Sequence, residues 1–187
     1  MAIAFKQNPE RSHPLIRQNY TVLLQAQDLI ERTSDADFTR QVKGSSSVGA
    51  QVRHVLEFYE CFLDGLDTLH IDYDARKRNL AIESSRSAAL AMLRAIIRRL
   101  DRQSDGSFDT LIWVRAEGGL DNEQRDWLTS STERELQVLA SHAVHHLALV
   151  AMMLRLSGVE PGQNVGVAAS TLRYRKAGSA PFPLEAA

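Results

Sequence analysis

The sequence contains a single cysteine, Cys61. One thiol cannot close an internal disulfide, and this usage suits a reducing compartment, so a cytoplasmic protein is expected. A surplus of either charge is also missing: 22 Lys and Arg stand against 23 Asp and Glu, for a formal net charge of −1. Nucleic acid and anionic membrane surfaces both demand a basic excess, so neither is expected as a partner. The opening "MAIAFKQNPERSHP" holds no apolar run of signal-peptide length and turns polar by Lys6. No internal repeat or low-complexity segment is visible. One further absence points the other way. No Asp, Glu, Lys or Arg lies between Glu135 and Arg155, which is about the span of a transmembrane helix. That interval nevertheless carries Gln137, Ser141 and three histidines, which lipid would penalise, so it reads as a buried central helix.

What remains is a composition of 44% hydrophobic and 24% charged residues, ordinary for a globular protein, in a chain of 187 residues with room for one sizeable core. Apolar periodicity predicts four helices. In the first, over 14–33, Ile16, Tyr20, Leu23 and Ile30 share a face and Pro14 suits the first turn. "SDADFTRQVKGSSS" then reads as a loop. A second helix over 47–68 carries the seam Val48, Val52, Val55, Tyr59, Phe62 and Leu66. A third, over 84–102, presents Ala89, Leu93, Ile96 and Leu100. β-branched and aromatic residues at 112–114, with Gly118-Gly119 as a turn signal, predict a small hairpin or extended excursion. The last helix, over 132–157, starts with Thr132 as cap and Glu135 completing a capping box, and stops at Gly158. Beyond about 159 the chain reads as an irregular tail with one helical turn after Ser170. The expected architecture is all-α: a single four-helix-bundle domain over 1–187. Leu15, Val22 and Leu29 lie beside the first face of helix one, and such surplus apolar surface predicts a homodimer.

The chemistry concentrates in "SHAVHH", which spends three of six histidines in six positions. His142 and His146 are four apart, so they lie one above the other on a helical face shared with Glu135, Leu139, Leu149 and Met153. Such a pair can take adjacent positions on one divalent ion. His145 sits on the flank. A metalloprotease would need Glu directly after the first histidine, and Ala143 stands there. A third ligand must come from another helix, and His54, on the border of the second apolar seam, is the candidate. Placed there it would face a cleft in which a metal keeps a position open for water or substrate. Spacing alone leaves two readings standing, a metal site and a set of satisfied core histidines. His13 and His70 read as loop residues without a role.

The stretches "SSVGAQVRHVLEFYECFLDGL" and "ERELQVLASHAVHHLALVAMMLRLSGV" together resemble the DinB/YfiT-like family of metal-dependent four-helix bundles. The first is similar to the family's helix-two motif, in which a Gly-x-x-x-x-His run supplies one metal ligand. The second resembles its last core helix, where a His-x-x-x-His pair supplies two. The resemblance covers residues 14–158 and implies His54, His142 and His146 as the ligands. His145 matches an extra histidine that the family does not use. Some relatives are thiol-dependent transferases or isomerases, so the resemblance implies a low-molecular-weight thiol among the small-molecule partners.

Two arginine-bearing stretches, "DYDARKR" and "TLRYR", offer Tyr73, Arg76, Arg78 and Arg173 as substrate-binding residues for an anion at the cleft mouth. Solvated ion pairs are the plain alternative. Glu57 and Glu60 are candidates for supporting the ligand histidines, and Cys61 for a reactive thiol or a small buried hydrophobe. The metal expected at three imidazoles is zinc or nickel, with iron and copper also suited. The expected activity is metal-dependent transfer of a thiol onto a small electrophile. Hydrolysis by a metal hydroxide and a non-enzymatic, metal-stabilised binding or stress protein are the alternatives.

Overall fold

Each run of apolar residues at helical spacing becomes a helix, and the starts of these long helices are marked by a side chain that accepts from an otherwise unpaired backbone N–H. The computed structural model describes residues 13–41, 44, 46–103, 109–115 and 126–178. The Gly118-Gly119 turn lies outside them. Helix α1 spans Pro14–Arg32, and a short α2, Asp35–Thr39, follows. Helix α3 is Val48–Gly65, α4 is Leu80–Ser84 and α5 is Arg86–Arg102. The long α6 is Thr132–Leu156, and α7 is Ala169–Lys176. Ser34, Ser47, Asn79, Ser85 and Ser131 cap α2 to α6 in turn.

The four expected helices are present to within a few residues, and α1, α3, α5 and α6 form the bundle. Helices α1 and α3 each pack against both α5 and α6. Leu23, Ile30, Tyr59, Phe62, Leu93, Leu100 and Leu139 fill the space between them. Helix α6 is long and apolar enough to cross a membrane by length and composition, but its buried residues, among them Leu136, Leu139, Ala143, Leu147 and Val150, are packed inside this bundle. Val22 and Leu29, expected as surplus surface, are buried in the chain's own core, and Leu15 packs against it. These three residues are therefore not spare surface for a dimer interface.

Three local readings are corrected. The segment read as a loop after α1 contains α2, because Ser34 accepts from the Asp37 N–H and Phe38 is wholly buried. The last helix is capped by Ser131, one residue earlier than expected, and there is no capping box. The Thr132 hydroxyl instead donates to the Thr110 carbonyl, and Glu135 turns inward. The excursion is present as expected, as an antiparallel pair, β2 (Leu111–Arg115) with β3 (Leu128–Ser131), in the register Leu111↔Ser131. A third strand, β1 (His70–Asp72), joins β2 in parallel with His70 opposite Trp113, which three residues of sequence gave no period to reveal. The helix in the tail, α7, is also longer than the single turn expected.

Two glycines are needed, one by close approach and one by its backbone conformation. A Cβ on Gly49 would sit 2.0 Å from the Glu83 carbonyl oxygen, so this residue lets α4 lie against the start of α3. Gly158, at φ +77°, ends α6 as expected: its N–H donates to Arg155 O and that of Val159 to Leu154 O.

One buried polar group crosses the bundle. The Asn19 amide nitrogen donates to the carbonyls of Leu15 and Leu136, and its oxygen accepts from the Tyr59 hydroxyl at 2.7 Å. Asn19 is fully buried, so these bonds tie α1, α3 and α6 at one level with no competition from water. Asn19→Ala leaves the buried Tyr59 hydroxyl unpaired and removes the side-chain bond to the Leu136 carbonyl, and is expected to cost about 2–4 kcal/mol of stability. Tyr59→Phe is expected to cost less. Urea unfolding checks both, and equal, small losses would contradict the three-helix tie.

Candidate metal centre

Helix α3 carries His54 on the side that meets α6, and α6 returns His142 and His146 from consecutive turns of one face. Their ligand atoms all lie within 4.8 Å of one another, a group that could hold a metal ion. The Nε2 atoms of His54 and His142 are 3.1 Å apart. Two nitrogens held about 2.0–2.1 Å from a tetrahedral ion stand roughly 3.3–3.4 Å apart, so this pair is within a few tenths of an ångström of that spacing. The three imidazoles thus fit a divalent ion in donor type and number, and they converge to within 4.8 Å of one another. His145, one residue before His146, is exposed and lies outside the group.

Two further side chains belong to the site. Gln51 Oε1 accepts from His146 Nδ1 at 2.5 Å, and the Gln51 amide nitrogen donates to Ser46 Oγ at 2.6 Å. Phe58 forms a wall: its ring centroid is 4.2 Å from that of His142 and 4.8 Å from that of His54. Both were missed from the sequence, although a signal exists. Gln51 and Phe58 stand at i−3 and i+4 from His54, so helical spacing puts all three on one face.

Behind Phe58 stacks Tyr73, with centroids 5.0 Å apart. Tyr73 was expected at a cleft mouth, but its ring is buried and its hydroxyl donates to Glu135 Oε2 at 2.9 Å. Ser130 Oγ donates to the other Glu135 oxygen at 2.6 Å. Glu135, Tyr73 and Phe58 thus form a buried prop running from the start of α6 to the histidines. Arg76 is the arginine brought to the site: its guanidinium carbon lies 4.3 Å from the Phe58 centroid, and one N–H donates to the Tyr73 carbonyl. Arg78 is exposed in a left-handed turn at φ +48°, and Arg173 is exposed on α7. Among the described residues no hydrogen bond, ion pair or ring contact joins either to the histidines. Glu57 does not support a ligand. It is buried, and its carboxylate accepts from the Asn79 N–H ahead of α4. Burial pushes the half-buried Cys61 thiol up to about 11, so it stays protonated at neutral pH and behaves as a small hydrophobe.

The electrostatics favour neutral imidazoles. Burial, aided by the charges of Arg76 and Arg53, lowers His54 to about 4. Burial and then the neighbouring His146 and His54 lower His142 to about 3, and His146 falls to about 4 for similar reasons. All three rings are therefore neutral throughout the physiological range, which is the protonation state a metal requires.

The DinB family model matches residues 12–175 of the chain. Among curated proteins, a 106-residue stretch is 30% identical to FK506-binding protein 5 of Rhizopus delemar. That similarity covers 57% of this chain and 28% of the relative, so the chain spans little more than a quarter of that protein's length.

The depressed values set a pH dependence. Each imidazole has its ordinary value near 6.5 in the unfolded chain and a lower one when folded. As pH falls below 6.5 the unfolded chain binds more protons than the folded one, and stability is lost progressively towards pH 4. The window from 6.5 to 5 precedes most carboxylate titration. Urea midpoints of the metal-free protein are expected to fall across it, with a shallower slope in His142→Ala. A flat profile in the parent protein would contradict the buried neutral triad.

Proposed function

The chain belongs to the DinB family, and from that membership and the three converging imidazoles we propose that it binds one divalent metal ion through His54, His142 and His146. The observation that carries this reading is the meeting of three neutral ring nitrogens from two helices, two of them 3.1 Å apart. Zinc or nickel is the ion proposed, since three imidazoles suit either. Bound there, it would supply Lewis acidity and lower the pKa of a small thiol or water that reaches it.

The reaction proposed is transfer of a small thiol onto an electrophilic small molecule. The chain's own contribution is to position and to exclude water. Phe58 walls one side of the histidines, and Arg76 lies over that ring with further N–H donors left on its fork to hold an anionic group of the substrate. Cys61, kept as a thiol, is not the nucleophile in this reading, so the thiol must be a co-substrate.

Protein purified without an affinity tag is expected to contain about one equivalent of metal by elemental analysis, and His142→Ala or His146→Ala to lose it. His145→Ala is expected to retain it. Loss of metal from His145→Ala with retention in His142→Ala would overturn the site. The transferase reading is checked by screening electrophiles with low-molecular-weight thiols. Turnover should need both thiol and metal, and Arg76→Ala should raise KM for anionic electrophiles by about 10-fold or more. Metal-loaded protein that turns over none of them would overturn the transferase while leaving the metal site standing.

A further inference from the structure

We infer that Gln51 is a positioning residue that holds His146 in the Nδ1–H tautomer, so that Nε2 is the nitrogen left free to bind metal. The inference rests on the metal-site reading for its purpose, but its geometry stands independently. An imidazole that is neutral carries its proton on one nitrogen, and the partner of the other face decides which. Gln51 presents Oε1 to His146 Nδ1 at 2.5 Å, and an amide oxygen can only accept. Nδ1 must then donate, and the lone pair falls to Nε2.

The amide nitrogen donates to Ser46 Oγ at 2.6 Å, just ahead of the α3 cap, so Ser46, Gln51 and His146 form a hydrogen-bonded chain. A reversed amide would place N–H against Nδ1, force the proton onto Nε2 and close the nitrogen the site needs. Among the described residues, Gln51 is the hydrogen-bond partner of His146 Nδ1. The small cavity beside it, about 10 Å³, is otherwise lined by Ala26, Val52, Val55, Leu56, Leu147 and Val150 together with His146 itself. That volume is at the lower limit for one water, which would find few polar partners there. Helix α3 therefore supplies one ligand, His54, and three residues earlier the group that aims a ligand on α6. Outer partners of this kind are typically worth 10–100-fold in metal affinity.

The test has two readouts. Long-range ¹H–¹⁵N NMR of the metal-free protein at pH 7 is expected to show His146 protonated at Nδ1, and Gln51→Leu to shift it to a mixture or to Nε2–H. Competition for Zn²⁺ against a chromogenic chelator is expected to show about 10–100-fold weaker binding in Gln51→Leu. Gln51→Glu, whose carboxylate also accepts from Nδ1–H, should retain binding within a few-fold, and Ser46→Ala should fall between. A parent protein with His146 protonated at Nε2 would overturn the inference, and so would a Gln51→Leu variant with unchanged tautomer and affinity. If the parent binds no Zn²⁺, the metal reading fails, and the tautomer measurement still decides the role of Gln51.

Discussion

The site depends on a register, and the register depends on one buried amide. Asn19 has donors and an acceptor that must all be satisfied away from water, and its partners sit on three different helices. Sliding α3 or α6 by even one turn would leave those groups bare at a cost of about 1–3 kcal/mol each. Apolar surfaces alone tolerate such slips, because burial is non-directional. The Asn19–Tyr59 bond fixes α3 five residues beyond His54, and the Leu136 carbonyl fixes α6 six residues before His142. The meeting of His54 with His142 and His146 follows from where those two anchors hold the helices.

The surroundings of the triad are arranged to keep basic groups uncharged. Half-buried imidazoles among apolar residues, with Arg76 nearby, resist protonation, and the buried carboxylates Glu57 and Glu135 are committed elsewhere. Glu135 accepts from two hydroxyl donors, Tyr73 and Ser130, and sits in the first turn of α6, where the helix dipole favours a carboxylate. That carboxylate does not reach the histidines directly. Its influence passes through Tyr73 and Phe58, as packing rather than charge. The small sheet contributes at the same place: β1 leads directly into the turn that holds Tyr73 and Arg76, and β3 brings Ser130. An element that looks like an ornament on a helical bundle thus carries the wall of the site.

Much of this was legible in the amino-acid order. The helical period places Val52, Val55, Tyr59 and Phe62 in the core, and it places His142 above His146 without reference to any other part of the chain, because 3.6 residues per turn decide that relation locally. Gly158 is readable as the stop of α6, and so is the match of "SSVGAQVRH" and "SHAVHH" to the DinB pattern. By itself the sequence determined the four helices, their apolar faces and the preorganised pair on α6. What it could not decide is anything that joins one helix to another. The meeting of His54 with the α6 pair, the inward turn of Glu135 onto Tyr73 and the bond from Gln51 to His146 each connect residues 62 to 95 positions apart, while Arg76 reaches Phe58 through β1. Such pairs leave no period in the chain, since their distances are set by how helices are packed and not by rise per residue. Tertiary structure chose among the polar residues near each seam, and it chose by the requirement that every buried donor and acceptor find a partner.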